Sequence, residues 1–273
     1  NKITALSCLK KSKLKKFFIY DDLSNPNDLF SIKNVDSIIH LASITDAQQS
    51  ILKKKDYIKN NLGSFENIIK YCKKNKSKLI HISSTSVYGD PNKIVDEESK
   101  FLIPQSPYAA IKLKEEKILK NLNNKIKYIS LRFGTIAGVS PGMRFHTAVN
   151  KFCLNTILGN PIPVWKTALN QYRPYLSLND AFKTFKFILD KDFFPNETFN
   201  ILSENKTVKN ILNDIKNNGY RPKTKLTESP IMNQLSYKVQ KDKIEKYGLK
   251  LRSKIENDIK QTLNLFNNLN YDK

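Results

Sequence analysis

A tyrosine and a lysine, Tyr108 and Lys112, are spaced so that they could carry out acid–base chemistry together. They follow Ser106 and Pro107, which are favourable residues for the N-cap and the first turn of a helix. On a helix that begins there, residues four apart lie on one face. An ammonium group close to a phenol favours the phenolate and lowers its pKa from about 10. Tyr108 could then exchange a proton with a substrate near neutral pH.

A serine-rich segment upstream supplies a second polar group for such chemistry. The segment Ser83–Gly89 reads Ser-Ser-Thr-Ser-Val-Tyr-Gly and lies at the end of a predicted strand over 78–84. Ser84 could hydrogen bond to the substrate oxygen that Tyr108 protonates. A tyrosine and a lysine four residues apart also occur by chance on exposed helix faces. The position of this pair after a serine-rich strand end favours the chemical interpretation.

The elements that would hold these residues alternate between strands and helices. Short apolar runs predict strands at 16–20, 35–42, 78–84 and 127–133, and helical periodicity covers 51–74 and 107–122. Apolar strands joined by helices are typical of a parallel sheet covered on both faces. Because such connections are right-handed crossovers, the predicted fold class is α/β with a doubly wound, Rossmann-like parallel sheet. Ligands of these sheets bind beyond the carboxyl ends of the strands.

Composition limits the class of protein. The 273 residues are 40% hydrophobic and 26% charged, so a buried core is expected and general disorder is not. No apolar run is long enough to span a bilayer. Cys8, Cys72 and Cys153 lie far apart, which argues against a disulfide framework or a metal site and favours a reducing, cytoplasmic setting. The net charge of +22 could attract polyanions, but dispersed lysines favour a solvated basic surface, so we expect no nucleic acid or membrane partner.

Further short motifs follow one another along most of the chain. They are Asp22-Leu23, Val35–Ser43, Asn60–Ser64, Ser83–Gly89, Tyr108 with Lys112, Leu131–Gly142, Arg173–Asp180, Phe199–Ile201 and Lys243–Leu265. Together they resemble the motifs of extended short-chain dehydrogenases/reductases of the NAD-dependent epimerase/dehydratase family, which act mostly on nucleotide sugars. Each motif alone is weak, and the combination is specific.

The resemblance implies an enzyme with tightly held NAD and a nucleotide-sugar substrate. The cofactor would take a hydride from a sugar carbon and usually return it. Tyr108 would take or give the hydroxyl proton, Lys112 would bind the nicotinamide ribose and lower the tyrosine pKa, and Ser84 would assist. These three residues are therefore the predicted catalytic residues.

The resemblance also implies which residues contact the ligands. Cofactor-binding residues would be Asp22, Leu23, Leu41, Ala42, Ser43, Asn60, Ser83, Tyr108, Lys112 and Phe133. Substrate-binding residues would be Ser84, Thr85, Ser86, Thr135, Arg144, Asn150 and Arg173. Arg173 is the principal candidate for the diphosphate, because a guanidinium fork matches phosphate oxygens. No metal is expected.

The motif order also predicts how the chain divides. The predicted alternation of strands and helices changes after about Gly138, where shorter strands and helices follow in a mixed order. We predict a dinucleotide-binding, Rossmann-like domain over 1–142, with an incomplete first βαβ unit. A smaller, mixed α/β substrate-binding lobe is predicted over 143–273, of which 173–202 partly returns to the core sheet.

Two departures from the family pattern affect these expectations. The glycine-rich turn that would hold a pyrophosphate has no counterpart, because the first glycine is Gly63. We therefore expect an N-terminally truncated sheet. Thr85 and Ser86 stand where sugar dehydratases place Asp and Glu, which disfavours dehydration and leaves the 4-epimerase pattern, with transient hydride transfer at the sugar C4.

Several alternatives stay open on the sequence alone. A 4-keto-sugar reductase that consumes NAD(P)H would use the same residues, and NADP remains an alternative to NAD. A non-catalytic derivative of the fold that binds polyanions or RNA is the alternative from another class. The resemblance further implies a homodimer through helices 51–74 and 107–122 and a role in surface polysaccharide synthesis. His40 and His81, inside strand patterns, are interpreted as structural.

Overall fold

The computed structural model describes residues 5–7, 18–20, 22–89, 94–100, 102–122, 124–228 and 236–269. The chain divides into two compact units. Unit 1 comprises Asn1–Ser83, Ser106–Leu131 and Phe194–Thr198, and unit 2 comprises Ser84–Gln105, Arg132–Phe193 and Phe199–Lys273. Both units therefore draw on segments that are distant in sequence.

Most strands of the described chain are short. They are β1 (Ala5–Ser7), β2 (Phe18–Tyr20), β3 (Ser37–His40), β4 (Lys78–Ser84), β5 (Ile94–Val95), β6 (Tyr128–Phe133), β7 (Thr135–Ala137), β8 (Ile162–Trp165), β9 (Tyr172–Ser177), β10 (Glu197–Ile201), β11 (Glu204–Thr207), β12 (Thr224–Thr227) and β13 (Lys238–Val239). The part of the strand predicted at Lys16 and Phe17 lies outside the described residues, as does Cys8.

Helices separate many of these strands. They are α1 (Ala47–Leu52), α2 (Lys54–Tyr57), α3 (Gly63–Asn75), α4 (Pro107–Lys120), α5 (Ala148–Ile157), α6 (Leu178–Asp190), α7 (Val208–Asn217), α8 (Asp242–Lys246) and α9 (Ile255–Leu269). Within the ranges that the structure describes, no helix has both the length and the apolar character needed to cross a membrane.

A four-stranded sheet organises the first part of the fold. Its strands are hydrogen bonded in the order β10, β6, β4 and β3. The pair β3 and β4 is parallel, with Ser37 opposite Lys78 and His40 opposite His81. Every residue of β6 is buried, as expected for a strand with both faces covered. The α/β class predicted from the sequence is confirmed.

The single helix predicted over 51–74 is wrong. The helix is interrupted at Lys53, whose backbone is not helical (φ −117°, ψ 41°). A π-helix follows at Ile58–Leu62. There the Asn61 amide accepts a hydrogen bond from the Ile44 N–H at 2.8 Å and donates one to the Ile44 carbonyl oxygen at 3.0 Å. This contact with a distant segment holds the wider turn in place.

The core of unit 1 lies under α3. Phe65, Ile68 and Cys72 recur at helical spacing on its buried face and pack with Leu79 of β4. Complete burial of side chains of this size contributes about 1.5–3 kcal/mol each. The Tyr71 hydroxyl donates to a backbone carbonyl at 2.8 Å, so its polar end is satisfied in the interior.

Unit 2 combines a mixed sheet with helices. Its three-stranded sheet has the order β11, β9 and β7, in which β9 is antiparallel to β11 and parallel to β7. Two further parallel pairs join β8 with β12 and β5 with β13. α5, α7 and α9 supply much of the core, including Phe152, Ile211 and Ile259. A capping box between Thr207 and Asn210 begins α7.

Candidate active site

Tyr108 and Lys112 lie on the first turns of α4, as the sequence predicts. Ser106 caps this helix by accepting a hydrogen bond from the Ala109 amide at 3.2 Å. The Tyr108 side chain is half-buried, whereas Lys112 is only 2% exposed. Lys112 Nζ lies 6.0 Å from the centroid of the Tyr108 ring. Unit 1 therefore brings the phenol and the ammonium group together.

A buried chain of polar groups leads away from the lysine. Lys112 Nζ donates to Glu115 Oε2 at 2.9 Å, and His81 Nε2 lies 2.9 Å from the same oxygen. The other ring nitrogen, His81 Nδ1, lies 2.9 Å from Ser130 Oγ. His81, Glu115 and Ser130 are fully buried. Lys112 thus has a counter-charge one helical turn away.

The electrostatics of this chain keep Glu115 ionised. Burial raises the pKa of a carboxyl group, but the Lys112 charge and the hydrogen bond from His81 outweigh it and lower the pKa of Glu115 to about 2. A carboxylate with such a pKa is ionised at neutral pH. Its second oxygen, Oε1, is buried and has no hydrogen-bond partner among the described residues.

His40 ends β3 next to this chain. It is 4% exposed, and neither ring nitrogen has a hydrogen-bond partner in the part of the chain that the structure describes. Burial, followed by the charge of Lys112, lowers the pKa of His40 to about 3. The imidazole is therefore neutral at physiological pH. Its ring packs 6.1 Å from Phe65, centroid to centroid, which fits the structural role predicted for it.

Three of the residues predicted to bind the cofactor are Asp22, Leu23 and Asn60. Asp22 is exposed, and its Oδ1 accepts hydrogen bonds from the Ser24 amide at 2.9 Å and the Ser24 hydroxyl at 2.8 Å. The Leu23 side chain packs in the core of unit 1. The Asn60 side-chain amide donates a hydrogen bond to the Asp56 carbonyl oxygen at 2.9 Å, four residues earlier in the chain. A carboxylate oxygen of Asp22 remains accessible to a ligand.

The carboxyl end of β3 is open to solvent. Leu41 is 61% exposed, Ala42 is also exposed, and Ser43 is half-buried. Small or apolar residues in an exposed position beyond a parallel strand suit a flat ligand. Ser83, at the end of β4, differs because it is 1% exposed and its hydroxyl donates to Glu116 Oε1. The Ser83 hydroxyl proton is therefore not available to a ligand.

In unit 2, the predicted catalytic serine begins a short turn. Ser84 Oγ accepts hydrogen bonds from the Ser86 amide at 3.2 Å and the Ser86 hydroxyl at 2.9 Å. No acceptor for the Ser84 hydroxyl proton is found among the described residues, so this group can donate to a substrate. Thr85 is buried, and its hydroxyl donates to the Phe133 carbonyl at 3.2 Å. At the end of the same segment, a Cβ on Gly89 would overlap the backbone of Ile103.

Arg173, the candidate diphosphate ligand, lies on β9 and is half-buried. Its guanidinium carbon lies 5.3 Å from the centroid of the Tyr237 ring, and Nη1 donates to the Tyr172 carbonyl at 3.0 Å. Burial lowers the pKa of Arg173 from its ordinary value. The Tyr237 hydroxyl donates to the Thr85 carbonyl at 3.2 Å. Tyr237 therefore links the arginine to the serine-rich segment within unit 2.

The remaining predicted substrate residues also lie in unit 2. Asn150 on α5 is buried, and its Nδ2 donates to the Arg144 carbonyl at 3.0 Å. Its Oδ1 is buried without a partner in the described ranges. The Arg144 side chain is exposed, and Thr135 on β7 is half-buried. Of these groups, the amide oxygen of Asn150 and the Arg144 guanidinium have the chemistry for binding a polar ligand.

Several residues of this region are not singled out by the sequence. Glu115 is the clearest case, although its place three residues after Lys112 on one helix is a usable signal. Tyr88 is another: its hydroxyl donates to Asn200 Oδ1 at 2.9 Å and accepts from Arg132 Nη1 at 2.8 Å. Tyr237 follows a segment without recognisable periodicity, so no pattern indicates its contacts.

The comparisons with known proteins agree with the fold and with these motifs. The sequence profile of the NAD-dependent epimerase/dehydratase family matches residues 2–201. The chain belongs to this family, which confirms the family predicted from its motifs. In the matched range lie Ser84, Tyr108 and Lys112.

Individual relatives show how far the likeness extends. A trifunctional UDP-glucose 4,6-dehydratase/UDP-4-keto-6-deoxy-D-glucose 3,5-epimerase/UDP-4-keto-L-rhamnose-reductase from Arabidopsis thaliana is 26% identical over 90% of this chain and 38% of its own length. The chain spans about two fifths of the length of the relatives that it matches over most of its sequence.

Solved structures confirm the Rossmann-like fold. A UDP-N-acetylglucosamine 4-epimerase from Methanobrevibacter ruminantium M1, in complex with UDP-N-acetylmuramic acid, superposes with a TM-score of 0.83 at 25% identity, over 98% of this chain and 91% of that chain. A UDP-glucuronic acid 4-epimerase from Bacillus cereus, in complex with UDP-glucuronic acid and NAD, has a TM-score of 0.84 at 22% identity, over 94% and 84% of the two chains. The latter likeness concerns the fold alone.

Proposed function

We propose that this protein is an NAD-dependent epimerase that transfers a hydride transiently at C4 of a nucleotide-activated sugar. The observation that carries the proposal is the Tyr108–Lys112 pair on α4, with the buried ammonium 6.0 Å from the phenol ring. Membership of the epimerase/dehydratase family supports it, as do the 4-epimerases among the similar structures.

The side chains of unit 1 fit parts of NAD. The three donors of a lysine ammonium group suit ribose hydroxyls, and Glu115 occupies one donor of Lys112. The exposed Leu41 and Ala42 offer surface to a flat ring, and Asp22 can accept a hydrogen bond from adenine. Asn60, Ser83 and Phe133 complete the cofactor contacts that the family motifs propose.

The reaction is divided between the cofactor and the protein. The chemistry that bound NAD would supply is transient acceptance of a hydride from C4 and its return to the opposite face of that carbon. Tyr108 takes the proton of the C4 hydroxyl group and gives it back, while the nearby Lys112 charge stabilises its phenolate. For Ser84 we propose the assisting role that the family motif implies, in which its hydroxyl donates to the sugar oxygen.

The nucleotide end of the substrate is assigned to unit 2. Arg173 would bind the diphosphate, because its fork presents paired donors to phosphate oxygens. Arg144 and Asn150 would bind further polar groups, and Thr135 would contribute a hydroxyl. Thr85 and Ser86 remain proposed sugar contacts. The Thr85 hydroxyl can act there only as an acceptor while it donates to the Phe133 carbonyl oxygen. The division of roles between 1–142 and 143–273 stays a prediction.

A 4-keto-sugar reductase is the second candidate. The relative that matches 90% of this chain includes a UDP-4-keto-L-rhamnose-reductase activity in its name. A reductase would use the same tyrosine and lysine but would consume one reduced cofactor per turnover. The absorbance of the reduced nicotinamide therefore separates the two candidates, because an epimerase leaves the total of reduced cofactor unchanged.

The proposal extends to the setting of the enzyme. We propose a cytoplasmic homodimer, formed through the helices of 51–74 and 107–122, that serves polysaccharide synthesis. Ile51, Leu52 and Ile58 support this interface, because they are exposed apolar residues on these helices and Leu52 is 85% exposed. Sedimentation at micromolar concentration tests it, and a monomer would contradict the proposed dimer.

Replacement of Tyr108 by Phe tests the proposed chemistry. UDP-glucose, UDP-N-acetylglucosamine and UDP-glucuronic acid are supplied with NAD, and conversion to the C4 epimer is measured. We expect Tyr108→Phe to lower kcat about 10²–10⁴-fold, because it removes the group that moves the proton. Calorimetry checks that the variant still binds NAD. Tyr247→Phe, at an exposed tyrosine of unit 2, is the control and should keep full activity.

Two results would overturn the proposed function. One is a Tyr108→Phe enzyme that converts a sugar as fast as the unchanged protein. The other is a folded protein that neither binds NAD nor converts any of the three sugars, which would favour the polyanion-binding alternative. A salt-sensitive interaction with RNA would then be the measurement to make.

A further inference from the structure

The Lys112 ammonium group is buried and already paired before any ligand is bound. At 2% exposure it cannot use water as its main partner, and Glu115 Oε2 accepts its hydrogen bond at 2.9 Å. A lysine in an apolar interior without a counter-charge gives up its proton. The lysine of the proposed mechanism works only as a cation, so the groups that keep it charged matter to the reaction.

His81 in turn holds the Glu115 carboxylate in place. An ionised carboxylate can only accept, so His81 Nε2, at 2.9 Å from Glu115 Oε2, must carry a proton. The Ser130 hydroxyl can then donate to His81 Nδ1 at 2.9 Å, and a neutral imidazole satisfies both contacts. Because Ser130 is fully buried, the chain ends in the interior. These groups therefore cannot pass a proton to solvent, and their role is to hold the Lys112 ammonium group in place.

The other titratable groups around Lys112 do not replace Glu115. His40 on β3 stays neutral, because burial and the Lys112 charge lower its pKa to about 3. Glu116, the next residue on α4, accepts a hydrogen bond from Ser83. Tyr108 does not replace Glu115 either, because in the proposed mechanism Tyr108 is the group whose phenolate the Lys112 charge stabilises.

We propose that Glu115, oriented by His81, is a positioning residue that keeps the Lys112 amine charged and fixed beside Tyr108. This inference rests on the proposed function and adds a residue to it. Glu115 neutralises the buried cation and takes one of its three donors. Two donors are left, which can serve the phenolate of Tyr108 and a ribose hydroxyl. The carboxylate itself touches neither substrate nor cofactor.

Replacement of Glu115 by Gln tests this role, with Glu116→Gln as the matched control on the same helix. Without its counter-charge, Lys112 loses its proton at lower pH, so kcat falls earlier as the pH rises. We expect the alkaline limb of the kcat profile to move down by about one pH unit or more, a tenfold change in proton activity. The control should keep the profile of the unchanged protein. Glu115→Asp, which restores the charge on a shorter side chain, should lie between them.

A second measurement needs no turnover. In NAD-free protein labelled with ¹⁵N-lysine, the signal of the buried Lys112 ammonium is assigned by its loss in Lys112→Met. We expect this signal to disappear at lower pH in Glu115→Gln than in the unchanged protein and in Glu116→Gln. A folded Glu115→Gln protein whose ammonium signal and kcat profile match the unchanged protein would overturn the inference. If Glu115→Gln does not fold, the same comparison is made with Glu115→Asp, and an unchanged titration again overturns it.

The failure of this inference differs from the failure of the proposed function. If Tyr108→Phe abolishes conversion while the Glu115 variants behave as the unchanged protein, the function stands and the positioning role falls. If Tyr108→Phe keeps full activity, the function falls. The ammonium titration still reports whether Glu115 holds the charge of Lys112.

Discussion

Each unit contains a buried carboxyl group with one unsatisfied oxygen, and the two groups behave in opposite ways. Glu115 in unit 1 is fully buried, and Asp258 in unit 2 is 7% exposed. The oxygens Glu115 Oε1 and Asp258 Oδ2 both lack partners among the described residues. Nevertheless, the pKa of Glu115 is lowered to about 2 and the pKa of Asp258 is raised to about 6.

The neighbours of each carboxyl group explain the difference. Glu115 accepts from a charged donor, Lys112, and such hydrogen bonds stabilise the anion strongly. For Asp258, burial raises the pKa most, and a single neutral donor, the Ser177 hydroxyl at 3.1 Å, opposes it. The negative charges of Asp180 and Glu204 raise it further. The burial of a carboxyl group therefore does not decide its charge, and the partners do.

Asp180 shows the effect of several donors acting together, which include the Lys183 ammonium group at 3.4 Å from Asp180 Oδ1. Its oxygens accept hydrogen bonds from the Ser203 hydroxyl at 2.7 Å, the Ser253 hydroxyl at 2.7 Å and the Ser253 amide at 3.0 Å. Burial works in the other direction, but these donors outweigh it, and the pKa of Asp180 is lowered. The three neutral donors and Lys183 together keep the pKa of Asp180 low, whereas one serine hydroxyl does not do so for Asp258.

The two shifts also give opposite pH dependences of stability. For Glu115 the folded pKa is the lower one, so its stabilisation is present above about pH 4.5 and is lost as the pH falls towards 2. For Asp258 the folded pKa is the higher one, so its ionisation destabilises the fold progressively between about pH 4 and 6, and by a constant amount above that.

The largest effect is expected for Glu115→Ala. It leaves the Lys112 ammonium buried without a counter-charge and His81 without an acceptor, so the free energy of unfolding should fall by about 3–5 kcal/mol at pH 7. Urea denaturation measures the change. In the double variant Lys112→Met with Glu115→Leu both charges are gone, and most of the stability should return. A cost below about 1 kcal/mol for Glu115→Ala would show that the ion pair contributes little.

Asp258→Asn should have the opposite sign. The amide keeps an acceptor for Ser177 and removes the charge that Asp180 and Glu204 repel. We expect a gain of about 1–3 kcal/mol in the free energy of unfolding at pH 8 and no gain at pH 4, where the carboxyl group of the folded protein is already protonated. Thermal unfolding at both pH values checks this. Equal stability of the two proteins at pH 8 would show that the charge is not penalised.

Matched serine replacements should give the smallest effects and sharpen the comparison. Ser130→Ala removes the hydrogen bond to His81, and Ser177→Ala removes the one to Asp258. Each should cost about 0.5–1.5 kcal/mol. Only the Ser177→Ala cost should grow as the pH rises through 6, because the lost hydrogen bond stabilised the charged form of Asp258. Chemical denaturation at pH 5 and pH 8 separates the two, and parallel pH dependences would contradict the account.

The sequence predicts those elements whose limits are set by local chemistry. The strand at 78–84 has the predicted bounds. The Thr207–Asn210 capping box begins α7 at a residue that the sequence marks. The same is true of Ser106 and Pro107 before α4. Because these two residues mark where α4 begins, the spacing of Tyr108 and Lys112 is enough to place both on one helix face.

Other features depend on contacts between distant residues. The π-helix within 51–74 is accompanied by hydrogen bonds between Asn61 and the distant Ile44, which no periodicity indicates. The strands β5 and β13 pair with one another, and at two residues each they are too short for an alternation to be recognised. The hydrogen bond between Glu115 and His81 forms only because β4 places His81 beside α4. These are tertiary effects, which override local preference.

The close approach at Gly89 has a consequence for mutational tolerance. A side chain there would begin with a Cβ that overlaps the carbonyl oxygen and Cβ of Ile103. Rigid backbone atoms cannot yield as a flexible side chain would, so even alanine would have to displace the segment. In a library that randomises this codon, selection for folded protein should return glycine alone. Variation at the neighbouring Ser86, which is only half-buried, should be far wider.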